Sequence, residues 1–188
     1  SGEVWVAVRA GLFSNGGTPD VSPSGSIPLP PQVGETFIGE VSRLHAKTAE
    51  LQILCIEGRE DGHRSMAAES MAADIFVSEI VDRFMPSPGD GMRTRDIVRA
   101  RIIKTDPMLK ATTKDDPSLG VLYALCTVCG LPLHVSSETP DENVACTRCD
   151  YKGYRALSNG FGHGHLLPDG VDLQPLNRGG ERWTPEVE

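Results

Sequence analysis

The chain has 188 residues and a formal net charge of −8, with 39% hydrophobic and only 5% aromatic residues. A negative charge argues against an indiscriminate nucleic-acid binder, because attraction to phosphates scales with Lys and Arg. The low aromatic content argues against one large aromatic core, and 20 glycines with 14 prolines predict many turns. No apolar run approaches the roughly 18 residues that a membrane span requires, so we expect a soluble protein without a membrane partner.

The predicted elements begin with a strand over 3–13 that turns at Gly11. A cluster of turn-forming residues follows at 14–26. Residues 26–31 contain three prolines, which exclude a sheet interior and predict an extended connector. We therefore interpret residues 1–33 as a partial N-terminal β domain with a Pro-rich connector.

Short strand-like runs begin at Gly34. FIGEVSRL and TAELQILCI are separated by a short turn, and DIFVSEI gives a third run after a polar insert at 57–73. A short helix is predicted within that insert, over 65–73. DIVRARIIKT alternates most clearly, and MLKATTK gives a short fifth strand. Five short strands over 34–115 with no long helix predict a small closed barrel.

Two cysteine pairs dominate the segment after the barrel. Cys126-x2-Cys129 and Cys146-x2-Cys149 are separated by sixteen residues, a spacing typical of a four-cysteine zinc site. Four thiolates complete a tetrahedron, so the predicted Zn²⁺ is structural and not catalytic. Two disulfides and a rubredoxin-like iron site remain as alternatives.

The remaining cysteine and the chain's end carry weaker signals. Cys55 lies in the apolar run LQILCI and is interpreted as a core residue. We assign 120–157 to the zinc ribbon and 158–188 to a flexible or wrapping tail. The tail contains a Gly-His-Gly-His sequence, and two histidines alone are weak evidence for a second metal.

The layout of 34–115 resembles the S1-type RNA-binding module of the OB-fold class. Gly34–Val41 fits G-x-x-x-x-G-x-V, V-S-E-I follows in the third strand, and D-I-V-R-A-R-I-I forms the long fourth strand. The resemblance implies an all-β, multi-domain protein with a small N-terminal β domain, a five-stranded OB-fold barrel and a C-terminal zinc ribbon.

This order of domains, with VSEIVDRF, RTRDIVRARII and LGVLYALCTVCG, resembles the Csl-four-type cap subunit of the RNA exosome over residues 1–157. The resemblance implies a noncatalytic subunit that docks on a ring of RNase PH-like subunits beside other cap subunits. Such a subunit guides single-stranded RNA into the ring for 3′–5′ degradation and processing. The location implied is the cytoplasm in an archaeon, or the nucleus, nucleolus and cytoplasm in a eukaryote.

Six side chains are candidate RNA contacts: the first three bracket the first barrel turn, at the usual mouth of an OB-type groove, and the other three flank the third and fourth strands. They are Arg43, His45, Lys47, Arg83, Arg93 and Arg95. Arg99 and Arg101 project from one predicted barrel face, either as plain surface or as further contacts. Phe37 is the only aromatic residue in the first run and the second run has none, so we expect weak RNA binding.

The sequence contains no recognised catalytic pattern: there is no G-x-S-x-G, no H-E-x-x-H and no Gly-rich phosphate loop. We therefore expect a protein that is not an enzyme. An alternative is a zinc-ribbon and OB protein-interaction module of another complex, of transcription-factor type. The negative charge and the scarcity of aromatic residues favour this alternative.

Overall fold

The computed structural model describes four parts of the chain, residues 11–14, 20–23, 30–57 and 71–163. Within them the fold is nearly all β, and the only helices are two single 3₁₀ turns at Val77–Glu79 and Pro88–Asp90. None of the described helices has the length and apolar character that crossing a bilayer demands.

Eleven strands are present in the described residues. They are β1 Gly11–Ser14, β2 Asp20–Pro23, β3 Thr36–Leu44, β4 Thr48–Ile56, β5 Ala72–Phe76, β6 Ile97–Lys104, β7 Lys110–Thr112, β8 Gly120–Tyr123, β9 His134–Thr139, β10 Glu142–Ala145 and β11 Lys152–Gly153.

Five of these strands form a closed barrel in the order β3-β4-β5-β7-β6. Pairing of β3 with β6 closes it, and β5 with β7 is its only parallel pair among the described strands. The predicted all-β class, with an OB-like barrel and a four-cysteine ribbon, is confirmed. Closure removes the exposed sheet edges that a short open sheet would present.

The barrel core follows the period-two alternation of its strands. In β4, Ala49, Leu51 and Ile53 point inward and are buried. A bulge at Leu54 then shifts the register, so Ile56 is the next buried residue and Leu54 is 48% exposed. The core-facing residues of β4 are therefore spaced by two up to Ile53 and by three from Ile53 to Ile56.

The N-terminal strands differ from the prediction. Residues 1–10, which hold most of the predicted first strand, lie outside the described residues, and β1 spans Gly11–Ser14. β2 lies inside the stretch interpreted as turn-forming, and it pairs with β1 from Gly11↔Pro23 to Ser14↔Asp20. A two-stranded hairpin has only edge strands, which accept a proline that a sheet interior would reject.

Two predicted boundaries around the third barrel strand are also wrong. Ala72 and Ala73, at the end of the predicted helix 65–73, belong to β5, and the rest of that helix up to residue 70 lies outside the described residues. The third strand ends at Phe76, and Val77–Glu79 form a 3₁₀ turn. The backbone N–H of Val77 donates to the Lys47 carbonyl, which ends the ladder with β4.

β6 alternates as predicted, with Val98, Ala100 and Ile102 buried. Arg99, however, is neither plain surface nor free to contact RNA. It is 8% exposed and its guanidinium forms an ion pair with Glu57 at 2.9 Å. Arg101 pairs with Asp116. The outer face of β6 is therefore occupied by structural ion pairs.

The segment 155–163 returns from the ribbon and lies against β8. Val121 N–H donates to the Ala156 carbonyl, and Ser158 N–H donates to the Val121 carbonyl. Gly120 has a φ of +123°, and a Cβ there would lie 2.6 Å from the Ala156 oxygen. Only glycine allows this close approach. We call residues 155–163 the return strap.

Candidate metal centre and nucleic-acid interface

The four paired cysteines lie in two matching turns of the ribbon. The first turn follows β8, where Cys126 N–H donates to the Leu131 carbonyl at 2.7 Å. The second joins β10 to β11, where Cys146 N–H donates to the Tyr151 carbonyl at 2.9 Å. These turns direct both sulfurs of each pair toward the other pair, and the sequence spacing is what produces them.

The four Sγ atoms lie within 4.8 Å of one another. The Cys126–Cys149 pair is 3.5 Å apart, the Cys129–Cys146 pair 3.4 Å and the Cys129–Cys149 pair 3.8 Å. A tetrahedral ion with metal–sulfur bonds of about 2.3 Å holds its sulfurs about 3.8 Å apart. A disulfide requires about 2.05 Å, and none of the five cysteines forms one.

Backbone amides favour thiolates at this site. The N–H groups of Cys149 and Arg148 lower the pKa of the Cys146 thiol to about 6. Burial raises the pKa of Cys126, but the N–H groups of Cys129 and Val128 outweigh it and the net pKa is lowered. Amide groups directed at sulfur are the second coordination sphere expected around a metal.

The thiols cannot all ionise without a cation among them. The Tyr151 N–H lowers the pKa of Cys149, but burial and the neighbouring thiols raise it more, to about 12. A bound cation removes this repulsion, because thiolates ligate metals in the deprotonated form. The cluster can therefore hold a metal ion, and with four sulfur ligands no position is left for substrate.

The other candidate ligands lie apart from the cluster. Cys55 lies in β4, where burial raises the pKa of its thiol above the ordinary value. Cys55 is only half-buried, and it does not belong to the group of four clustered sulfurs, so it is not a ligand of this site. His163 is exposed, and its predicted companion His165 lies outside the described residues.

Most of the candidate RNA contacts lie at one end of the barrel, which we call the turn pole: the β3–β4 turn, the end of β5 at Phe76, and the loops 84–87 and 91–96. Arg43, His45 and Lys47 are exposed in and beside the β3–β4 turn. The loop before β6 approaches this turn, since the Arg95 N–H donates to the Val41 carbonyl at 2.8 Å.

The remaining side chains of the turn pole are mostly solvent-facing. Arg93 and Arg95 are exposed. Lys47 Nζ donates to the Pro86 carbonyl at 3.3 Å, and His45 lies 3.8 Å from the Glu50 carboxylate. The fold thus brings five of the six predicted residues to one surface, although their backbones come from two separate segments.

Arg83 faces the ribbon. Its guanidinium lies over the Tyr154 ring, 3.8 Å from the centroid, and Nη1 donates to the Asp141 carboxylate at 2.9 Å. Stacking and the ion pair together fix the plane of the guanidinium. Its side chain remains 43% exposed.

Two aromatic residues at the turn pole were not recognised from the sequence. Phe76 is 45% exposed at the end of β5, opposite Thr48, and Phe84 is 91% exposed in the loop 81–87. Phe37, which the sequence singled out, is fully buried. Alternation could have identified Phe76, because Ala73 and Ile75 point inward and the even positions of β5 therefore point outward.

No protein-family model matches the chain, and no curated protein matches it significantly.

Proposed function

We propose that this chain is a noncatalytic RNA-binding cap subunit of an RNA exosome. The observation that carries the RNA-binding part is the turn pole, where Phe76 and Phe84 are exposed beside the cations of the β3–β4 turn. Lys47 lies between the two rings. Its Nζ donates to the Pro86 carbonyl in the loop that carries Phe84, and the next residue, Thr48, pairs with Phe76 across β4 and β5.

Aromatic rings beside cations match single-stranded RNA. Bases stack on exposed rings whatever their sequence, at about 1–3 kcal/mol per base, while Lys and Arg track the phosphates. Phosphate contacts carry no base information, so the proposed interface binds with little sequence preference. With two exposed rings in the proposed interface and a net charge of −8, the isolated chain binds weakly.

We propose Zn²⁺ as the ion of the four-cysteine cluster. Zinc accepts four thiolates in a tetrahedron, and in such closed sites it contributes to folding instead of catalysis. Cys126, Cys129, Cys146 and Cys149 hold it. A short ribbon without a large apolar core depends on such an ion for its stability.

Support for the exosome part comes from the succession of an N-terminal hairpin, a closed barrel and a four-cysteine ribbon, which is the order that the resemblance implies. In this proposal RNase PH-like ring subunits and other cap subunits are the partners. Weak RNA contacts become effective there, because assembly raises the local RNA concentration at the ring channel.

Co-purification tests the proposal. The tagged full chain should capture RNase PH-like subunits, and the assembled complex should lose RNA affinity when this chain is omitted. Capture of polymerase subunits, with RNA affinity unchanged, would replace the exosome proposal with the protein-interaction alternative. The pure chain with magnesium should leave RNA intact.

A further inference from the structure

The turn at 93–96, which belongs to the turn pole, has an arginine where its backbone favours glycine. The Asp96 N–H donates to the Arg93 carbonyl at 3.0 Å, which closes a four-residue turn. Arg95 is the third residue of this turn and has a φ of +75°. Turns with a positive φ at the third residue prefer glycine, because a Cβ is crowded in the left-handed region. Arg95 therefore holds an unfavourable backbone conformation.

Two neighbouring segments hold the turn in this conformation. From β3, the Val41 carbonyl accepts from the Arg95 N–H at 2.8 Å, and the Val41 N–H donates to the Asp96 carbonyl at 3.0 Å. From the return strap, Arg155 Nε donates to Asp96 Oδ2 at 2.8 Å, and the same oxygen accepts from the Arg93 N–H at 2.7 Å. A strained residue persists only where its surroundings determine its conformation, and such residues cluster at functional sites.

The Arg95 side chain is exposed, and its guanidinium has no ion-pair partner within the part of the chain that the structure describes. Four other arginines each pair with a carboxylate: Arg83, Arg99, Arg101 and Arg155. Because the backbone of Arg95 is already fixed, only its side chain must be ordered when it binds an anion. A guanidinium matches the geometry of phosphate oxygens.

We propose that Arg155 is a positioning residue for RNA binding: through Asp96 it holds the 93–96 turn so that Arg95 is presented to a phosphate of single-stranded RNA. This inference rests on the proposed RNA-binding function and deepens it, since it names one phosphate contact and the strap residue that positions it. Arg155 is fully buried and cannot touch RNA. Its effect on RNA affinity therefore passes through the turn.

The first arm of the test removes the proposed contact from the full chain, with oligo(U) as the probe over a range of salt concentrations. Arg95→Gly accepts the left-handed backbone, so it should not lower the melting temperature. The slope of log K against log salt should become shallower by about 0.7, equivalent to about five-fold in relative affinity over a ten-fold range of salt. Asp115→Gly is the matched control, because Asp115 is exposed and has a φ of +66° outside the turn pole; its slope should stay unchanged.

The second arm removes the positioning residue and keeps the contact. Arg155→Met should make the slope shallower by the same amount, although Arg95 is retained. A purely structural role would lower K through the folded fraction, so K is corrected for that fraction at each salt concentration. In the Arg95→Gly background, Arg155→Met should change the slope no further, because both changes remove the same contact.

The outcomes separate the inference from the proposed function. An unchanged slope in Arg155→Met, or a change that adds in full to that of Arg95→Gly, overturns the positioning role and leaves RNA binding standing. An unchanged slope in Arg95→Gly does the same. Absence of RNA binding by the unaltered chain ends both proposals. If Arg155→Met does not fold, Asp96→Asn takes its place in the cycle, since it breaks the same ion pair and keeps an oxygen for the Arg93 N–H.

Discussion

Arg155 of the return strap and Asp96 of the barrel form an ion pair at 2.8 Å, with side chains only 1% and 2% exposed. The same guanidinium donates to the Tyr154 carbonyl, and Asp96 also accepts from the Arg93 N–H. Asn143 of the ribbon exchanges two hydrogen bonds with the Arg155 backbone. One buried contact thus joins the barrel, the ribbon and the strap.

Arg155→Met should therefore destabilise the protein strongly. The change leaves Asp96 buried without its partner, and breaking such a pair costs about 3–5 kcal/mol. Urea unfolding measures the loss. Lys104→Met, at an exposed cation on β6, is the matched control and should change the free energy of unfolding by less than about 0.5 kcal/mol. Equal effects of the two changes would contradict the structural role of Arg155.

The Asp96 carboxyl should make the free energy of unfolding depend on pH. Burial raises its pKa to about 6, and Arg155 opposes but does not cancel this. The folded state then binds the proton more tightly than the unfolded chain, in which the pKa is about 3.9. The contribution of Asp96 to the free energy of unfolding therefore falls as pH rises from about 4 to 6 and is flat above. Subtracting the unfolding curve of Asp96→Asn from that of the unaltered chain isolates this fall; a difference that rises with pH would be inconsistent with it.

The metal proposal predicts different zinc contents for variants of a ligand cysteine and of a cysteine outside the cluster. Elemental analysis of the purified chain should find one zinc, and Cys146→Ser should lose it because a thiolate ligand is removed. Cys55→Ser is the control, since Cys55 lies in β4 apart from the cluster, and it should retain the full zinc content. A chelator should unfold the ribbon before the barrel. Zinc loss from both variants, or from neither, would refute the assignment.

Phosphate contacts at the turn pole should appear in the salt dependence of RNA binding. Arg43→Ala with Lys47→Ala removes two cations, so the slope of log K against log salt should become shallower by about 1.4 for single strands. The loss should be the same for different RNA sequences. Lys104→Ala with Lys110→Ala removes two cations from the β6–β7 region as a control. An unchanged slope in the first variant would remove the turn pole as the RNA surface.

The proposed stacking of a base on Phe84 predicts a loss of RNA affinity without a loss of protein stability. Because the ring is 91% exposed, Phe84→Ala should leave the melting temperature unchanged. RNA affinity should fall by about 1–3 kcal/mol, since one base loses its platform. Ile103→Ala, at a 42% exposed apolar residue on β6, is the control for loss of apolar surface. RNA titrations followed by fluorescence anisotropy give both values, and equal losses would argue against stacking.

The sequence predicted those features that depend on residues close together in the chain. Cysteine spacing predicted the four-sulfur cluster, because each pair closes a turn within four residues. Alternation predicted β6, because the core face repeats every second residue. Arg155 and Asp96 are 59 residues apart, and no local pattern connects them. The burial of Arg99 depends on Glu57 and on β8 beside it, so it became visible only with the strands paired.

The return strap has a consequence for what the ion does. The chain leaves the barrel after β8 and comes back to β8 at residue 156, so the ribbon is a closed loop of the barrel and not an appended tail. A loop with fixed ends gains less disorder on losing its ion than a chain with one free end. Demetallation should therefore loosen residues 124–154 while their two anchor points stay in register, and returning the ion would refold them in place.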